Sequence, residues 1–287
     1  MIAVLKALRQ PRYATLTALM VLVASVCALL GVWQLSRLDG KHRTNIDLRH
    51  NAKAAAVPVA ALLRPAGSRP VPSRVDVQFR RITATGTYDG AHQSLLRNQT
   101  VNGVTGFLVV TPLRTDDATL LVVRGFVTET SSTITAPAAP PGRVAITARV
   151  WPAATEPDRG AGLPGGQVES INAVDQAKRL GSDVLDGYAE LLDGQPGGAG
   201  LTTIPPPDLS NPAGGAPELQ HLAYVIQWFL FAVLALAAPV VMARAEGGDS
   251  SREIDDEPDE PQEPTREQTA DEARAAMLAD RYGRPRK

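Results

Sequence analysis

Two clusters far apart in the chain have residue types and spacings that could hold a metal-bearing cofactor. Trp33, Arg37 and Lys41 recur at every fourth position, which places them on one face of a helix, with Gln34 and Arg43 nearby. His221, Tyr224 and Trp228 are separated by three and then four positions, again one helical face, with Gln227 deeper in the run. A neutral imidazole can ligate iron, aromatic rings can wall a flat apolar group, and cations can pair with its carboxylates. Together these suit a porphyrin and its propionates. Each residue also has a plainer role, since Trp and Tyr gather at membrane interfaces, Arg and Lys snorkel to headgroups, and an interfacial histidine can titrate or bond a headgroup.

The elements that would position these residues are two apolar runs. Arg12 and Arg37 bracket 24 residues without a charge, and Leu222 to Ala243 supplies 22 more. At about 1.5 Å per helical residue each reaches roughly 33 Å, enough for a hydrocarbon core of about 30 Å. The overall figures, 44% apolar, 21% charged and a net charge of −1, hide this segregation. They also give no pull toward nucleic acid. The first run continues past Cys27 without a small-residue cleavage site, so it reads as an anchor and not as a cleaved signal. Basic residues flank it on both sides, which leaves orientation to two weaker arguments. Long loops translocate largely regardless of charge, and an acidic tail suits the cytoplasm.

The domain plan that follows has a cytoplasmic N-terminus (1–13), a transmembrane helix (14–36), an extracytoplasmic domain (37–220), a second transmembrane helix (221–243) and an acidic cytoplasmic tail (244–287). Both termini lie in the cytoplasm of a bacterial plasma membrane. The tail carries 8 basic and 13 acidic residues. Its segment 249–264 has almost nothing to bury and reads as solvated, with a marginal helix over 265–282.

Between the spans, residues 75–88, 94–99, 107–111, 120–124 and 143–151 have strand patterns, and Asp89-Gly90 and Asn102-Gly103 have turn chemistry. One helix is predicted over 173–180. The fold class is therefore α+β: two transmembrane helices flanking a mainly antiparallel β domain, closed as a small sandwich or open barrel. The Pro/Gly-rich stretches 136–141, 152–166 and 194–217 read as linkers, the last in extended form.

Enzyme chemistry finds little support. There is no GxSxG elbow, no HExxH and no zinc spacing, and the histidines are His42, His50, His92 and His221. Asp116-Asp117 reads as a solvated turn. The lone cysteine, Cys27, excludes disulfides and CxxC redox pairs. Arg124 beside Gly125 offers a forked donor to a propionate or carboxylate, or a strand-end ion pair.

Residues 31–41, GVWQLSRLDGK, resemble the GxWQxxRxxxK segment that closes the first span in the Surfeit-locus family of cytochrome c oxidase assembly factors. The likeness runs on through FRRI (79–82), GTY (86–88), Asn98, GF (106–107), TPL (111–113) and VRGFV (123–127), and resumes at HLAYVIQWF (221–229). It departs from the family where NRGWVP is replaced by VRGFVT at 123–128, and where neither Leu219 nor Gln220 is the asparagine usually found before the histidine. The resemblance implies a non-enzymatic factor that matures a haem–copper oxidase by handling haem a for its catalytic subunit. His221 is the implied iron ligand, with Tyr224, Trp228 and Trp33 as walls and Arg37, Lys41 and Arg124 as cations. The rival reading is a structural accessory subunit that stays bound to the oxidase or respiratory supercomplex. Membrane lipid is a partner in either case.

Overall fold

The computed structural model describes residues 11–70, 73–128, 136–158, 163–164, 166–255 and 274. The acidic tail beyond residue 255, with its expected helix, lies outside the described residues apart from Arg274. The chain divides into two compact units, Met1–Val32 with Val225–Lys287, and Trp33–Tyr224. Two long helices, α1 (Pro11–Lys53) and α4 (Glu218–Asp255), each contribute to both units. Both helices run well past the apolar runs that define them in sequence.

In the first unit the helices carry stretches long and apolar enough to cross a bilayer. Their leucines and valines face outward, with Leu22, Leu29 and Val233 all more than half exposed. The inward contact is made by small residues: Ala24 and Cys27 cluster with Ala232 and Ala235, and Met20 and Trp228 pack against them. A Cβ on Gly31 would come within 3.0 Å of the Phe229 ring, so the glycine permits that approach. Small residues inside and large apolar ones outside is the pattern of helices that pack in lipid. It suggests a membrane protein.

The second unit is built on an eight-stranded sheet, with β1 (Val57–Pro58), β2 (Arg81–Tyr88), β3 (Ser94–Val101), β4 (Val104–Arg114), β5 (Thr119–Thr128), β6 (Arg143–Trp151), β7 (Gln167–Val168) and β8 (Val184–Leu191). Their order is β1-β2-β6-β8-β5-β4-β3-β7, and β2 pairs again with β4. That extra pairing, Thr87 with Arg114 and Tyr88 with Leu113, closes β2, β6, β8, β5 and β4 into a five-stranded barrel. The sheet is mixed, which corrects the expected mainly antiparallel arrangement: β1 with β2, β3 with β7 and β5 with β8 run parallel. The cause is a crossover. Helix α3 (Ala173–Leu180) precedes β8 and returns the chain so that β8 enters alongside β5 in the same direction.

Strand β5 shows why its sequence reads as an unbroken apolar run. Leu120 and Val122 face the barrel interior with Ile82, Leu113, Ile146 and Ala148. Leu121 and Val123 face the opposite way, into a second core beneath α3 with Val110, Ile171 and Ala173. Both faces are covered, so neither needs polar residues. Helix α3 is itself well delimited, by Asn172, whose side chain accepts from the Asp175 N–H at 3.0 Å, and by Gly181 at φ 61°.

The strand expected over 75–88 begins only at Arg81. Arg74–Val77 forms a single helical turn, α2, and buried Phe79 takes φ 68° to redirect the chain, its ring edge-on to Trp151 at 4.9 Å. The side chain of Asn51, near the end of α1, donates to the carbonyls of Val75 and Gln78 at 2.6 and 3.1 Å and satisfies that bend.

Barrel closure depends on Gly86, where an added Cβ would lie 2.3 Å from the Arg114 carbonyl oxygen. Gly86→Ala is expected to destabilise the fold by about 1–3 kcal/mol through overpacking at the seam. Gly90→Ala, which meets nothing within 4 Å, serves as the near-neutral control in the same urea-unfolding series.

Candidate functional site

Within the second unit, the end of α1 and the start of α4 meet through their side chains. The α1 positions that turn inward follow a three-four spacing, Gln34, Leu38, Lys41, Asn45 and Leu48, and all are at least half-buried. Asn45 Nδ2 donates to Glu218 Oε1 at 2.6 Å, and His42 Nδ1 lies 2.9 Å from Glu218 Oε2. Lys41 Nζ donates to the carbonyls of Gly214 and Ala216. One turn further on, Arg49 donates to the carbonyls of Leu209 and Ser210 at 2.9 and 2.8 Å. Residues 209–216 of the expected linker 194–217 are therefore bound along α1 instead of hanging free.

This lacing leaves a groove of about 450 Å³ lined by Leu35, Leu38, Asp39, His42, Glu218, Leu219 and Leu222. Its walls are chiefly leucine. Trp33 is half exposed, and the Arg37 guanidinium lies 5.2 Å from its ring centre. Tyr224 is exposed, and its hydroxyl accepts from Gln220 Nε2 at 3.4 Å. His221 is half-buried, with its Nδ1 shut off from solvent and without a hydrogen-bond partner, and Gln34 Oε1 is in the same condition. A buried polar atom with no partner calls for an explanation, and a ligand is one. Trp228 belongs to the first unit, where it packs edge-on to Phe231 at 6.1 Å.

The structure thus brings Trp33, Arg37, Lys41, His221 and Tyr224 into one unit. It differs from the sequence reading in how they are occupied. Lys41 has its charge committed to two carbonyls, whereas Arg37, among the described residues, stacks on Trp33 and has no acidic partner. Three residues of this network, His42, Asn45 and Glu218, escaped the sequence reading. The signal was present, since Asn45 follows Lys41 by four positions on the stripe that continues to Leu48.

Arg124 stands elsewhere, on β5. It is 3% exposed and points to the same side as Leu120 and Val122, 5.8 Å from the Tyr88 ring centre. Its Nε donates to the Gly197 carbonyl at 2.8 Å, Nη1 to Gln93 Oε1 at 2.7 Å and to the Pro137 carbonyl at 3.1 Å, and Nη2 to the Ala138 carbonyl at 3.0 Å. No carboxylate is among these partners, so the residue is not a strand-end ion pair. It fastens the Pro/Gly-rich segments 136–141 and 194–200 to the barrel. Tyr88 supports the same loop by donating to the Pro196 carbonyl at 3.0 Å. Asp116, from the paired carboxylates, forms an exposed two-pronged contact with Arg143 at 2.9 and 2.7 Å, a surface pair in a turn.

Chemically, the helix ends carry two imidazoles, His42 and His221, and the Arg37 guanidinium, beside a groove walled chiefly by leucine. Among the described residues no group of three or more His, Cys, Asp or Glu could hold a bare metal ion. The model of the SURF1 family matches residues 21–233. Uncharacterized SURF1-like proteins of Mycobacterium bovis and of two Mycobacterium tuberculosis strains are each 33% identical to the chain over 288 residues, covering 97% of it and 98% of their own length.

Two measurements test this account of the unit. Arg124→Met leaves three carbonyls and an amide without their donor, and is expected to cost about 3 kcal/mol or more in urea unfolding of the detergent-solubilised chain. A loss below about 1 kcal/mol would mean that the loops are held by other contacts. The second concerns alkaline pH. Burial pushes the Tyr88 hydroxyl up to about 12 against the opposing pull of Arg124, and burial with nearby Glu190 pushes Tyr188 up to about 12 against Arg74. The unfolded phenols ionise near 10, so the unfolded state loses protons first. Stability present below pH 10 should therefore fall as pH rises toward 12. Thermal unfolding across that window should show the fall, and the Tyr88→Phe, Tyr188→Phe double variant should flatten it.

Proposed function

The chain belongs to the SURF1 family, and from that premise we propose that it is a membrane-bound assembly factor for a haem–copper cytochrome c oxidase, handling haem a on its way to the catalytic subunit. It works without catalysis of its own. The protein sits in a bacterial plasma membrane with both termini in the cytoplasm and residues 37–220 outside. Its partners are membrane lipid and the oxidase catalytic subunit, before or within a respiratory supercomplex.

The observation that carries this reading is His221. A histidine one turn into α4 whose Nδ1 is buried and unpartnered has an unmet need for a proton donor or a metal. His221 would be the residue that holds the haem, whose iron would supply that Lewis acid. The chain's own residues do the rest: Trp33 and Tyr224 offer exposed aromatic faces, and Arg37 presents a guanidinium to an anionic edge. Lys41 and Arg124 contribute indirectly. Lys41 holds the returning chain against α1, and Arg124 holds the loops of the barrel.

Delivery needs a site that binds and then releases. A half-exposed rim of aromatic and leucine side chains provides apolar contact without enclosing its cargo. Contact with the oxidase subunit then falls to the barrel surface and the exposed faces of the helices.

The test compares oxidase from cells with and without the chain, together with a His221→Ala strain. Loss of the chain should lower haem a content per oxidase, read from the reduced alpha band, and His221→Ala should reproduce part of that loss. Normal haem a content in its absence would overturn the handling role. Copurification at one copy per mature oxidase would instead identify a permanent subunit.

A further inference from the structure

The groove at the helix ends joins hydrocarbon walls to a rim of acceptors. Leu35, Leu38, Leu219 and Leu222 form the walls, and Asp39, His42 and Glu218 the rim. All seven belong to the two helices that are long and apolar enough to cross a bilayer. They fall where the uncharged runs of the sequence give way to polar residues: Leu35 lies just inside the first run and Leu38 just past it, while Leu219 precedes the second and Leu222 begins it. Residues at that position in a span stand at the level of the lipid headgroups. Leu219 is 75% exposed and Leu222 42%, so the described residues leave these walls uncovered.

Size favours one kind of occupant over another. Along α1 the groove runs from Leu35 to His42, about 10 Å at the helical rise. A stable protein partner engages roughly 20–30 residues a side, whereas seven line this groove. A single hydrocarbon chain asks only for a short apolar track.

Charge then selects among lipids. Asp39 Oδ2 is 2.8 Å from Arg43 Nη2, with both side chains more than half exposed, so a negative and a positive group stand side by side. Glu218 accepts from Asn45 Nδ2 at 2.6 Å, and its other oxygen lies 2.9 Å from His42 Nδ1. An ionised carboxylate only accepts, so the neutral ring donates through Nδ1 and keeps Nε2 as an acceptor. Among the described residues no Lys or Arg lines the groove, which disfavours an anionic headgroup. A trimethylated ammonium has no N–H to give. A primary ammonium has three, and Arg43, with five donors, can take the adjoining phosphate as well as Asp39.

We propose that the groove binds a membrane lipid with a primary-ammonium headgroup, a phosphatidylethanolamine, its acyl chain along the four leucines and its ammonium on Asp39 and His42. Glu218 is a positioning residue that sets the tautomer of the ring. This site lies outside the haem-handling reading and rests only on the placement of the two helices in a bilayer.

The experiment reconstitutes the full chain into vesicles of equimolar phosphatidylethanolamine, phosphatidylcholine and phosphatidylglycerol, extracts it again, and weighs the retained lipid by native mass spectrometry. Phosphatidylethanolamine should be retained roughly tenfold over each of the others, the ratio that one charge-assisted hydrogen bond sustains. Asp39→Asn should erase most of that preference without lowering the total lipid bound. Leu219→Gln, at an exposed position, should lower the total for all three, with thermal unfolding unchanged as the check on folding. Equal retention of the three lipids by the parent, or a preference that survives Asp39→Asn, overturns the headgroup assignment. Undiminished lipid in Leu219→Gln overturns the groove as its seat. A photoreactive diazirine amino acid in place of Leu219 gives a second readout in native membranes: a lipid adduct is expected, and an adduct with protein alone overturns the lipid in favour of a partner helix. Haem enters none of these measurements, so the handling role stands or falls separately.

Discussion

Glu218 is the residue on which the second unit's helix ends depend. It is the first residue of α4, and it is met by a buried amide and an imidazole from α1. Asn45 could not be buried at 1% exposure with its amide unpaired. It is satisfied because Glu218 accepts from its Nδ2 and the Ala213 backbone N–H donates to its Oδ1. Around this contact Lys41 and Arg49 gather four carbonyls of the returning chain. The rim that presents Trp33, Arg37, His221 and Tyr224 exists because these bonds fix where α4 begins.

A second constraint operates at the barrel. Arg124 is buried among neutral acceptors, so its charge is stabilised by carbonyl dipoles and an aromatic face instead of a counter-ion. Desolvation by burial lowers its affinity for the proton, and Tyr88 acts in the opposite sense. A guanidinium has five donors in a fixed plane, and four groups from three segments converge on it. It ties two proline- and glycine-rich stretches, 136–141 and 194–200, neither of them strand or helix, to the barrel.

Much of this was legible in the sequence. The strand β6 and the helix α3 fall on the residues their patterns predict, and the central runs of β4 and β5 were visible as apolar stretches. Strand β8 was not, because Asp186, Gly187 and Glu190 interrupt its pattern. Glu190 is buried there, paired with Arg149 and Trp151 at 2.8 and 3.0 Å, a tertiary arrangement no local window contains. Missing β8 concealed the parallel pairing with β5 and so the mixed sheet. The site divides in the same way: helical spacing identified the Trp33 and His221 faces, whereas Asn45, His42 and Glu218 acquire meaning only once residues 173 positions apart touch.

That separation has a consequence for how the chain is made. A contact closing so long a loop carries a conformational-entropy cost that grows only with the logarithm of length, but its formation in time is governed by how much intervening polypeptide is still unstructured. During synthesis helix α1 emerges long before its carboxylate partner Glu218 has left the ribosome. The barrel, folding in the interval, draws the two ends of the loop nearer and turns a remote encounter into a local one. A lesion that keeps the barrel from closing should therefore also leave Glu218 without its partners Asn45 and His42.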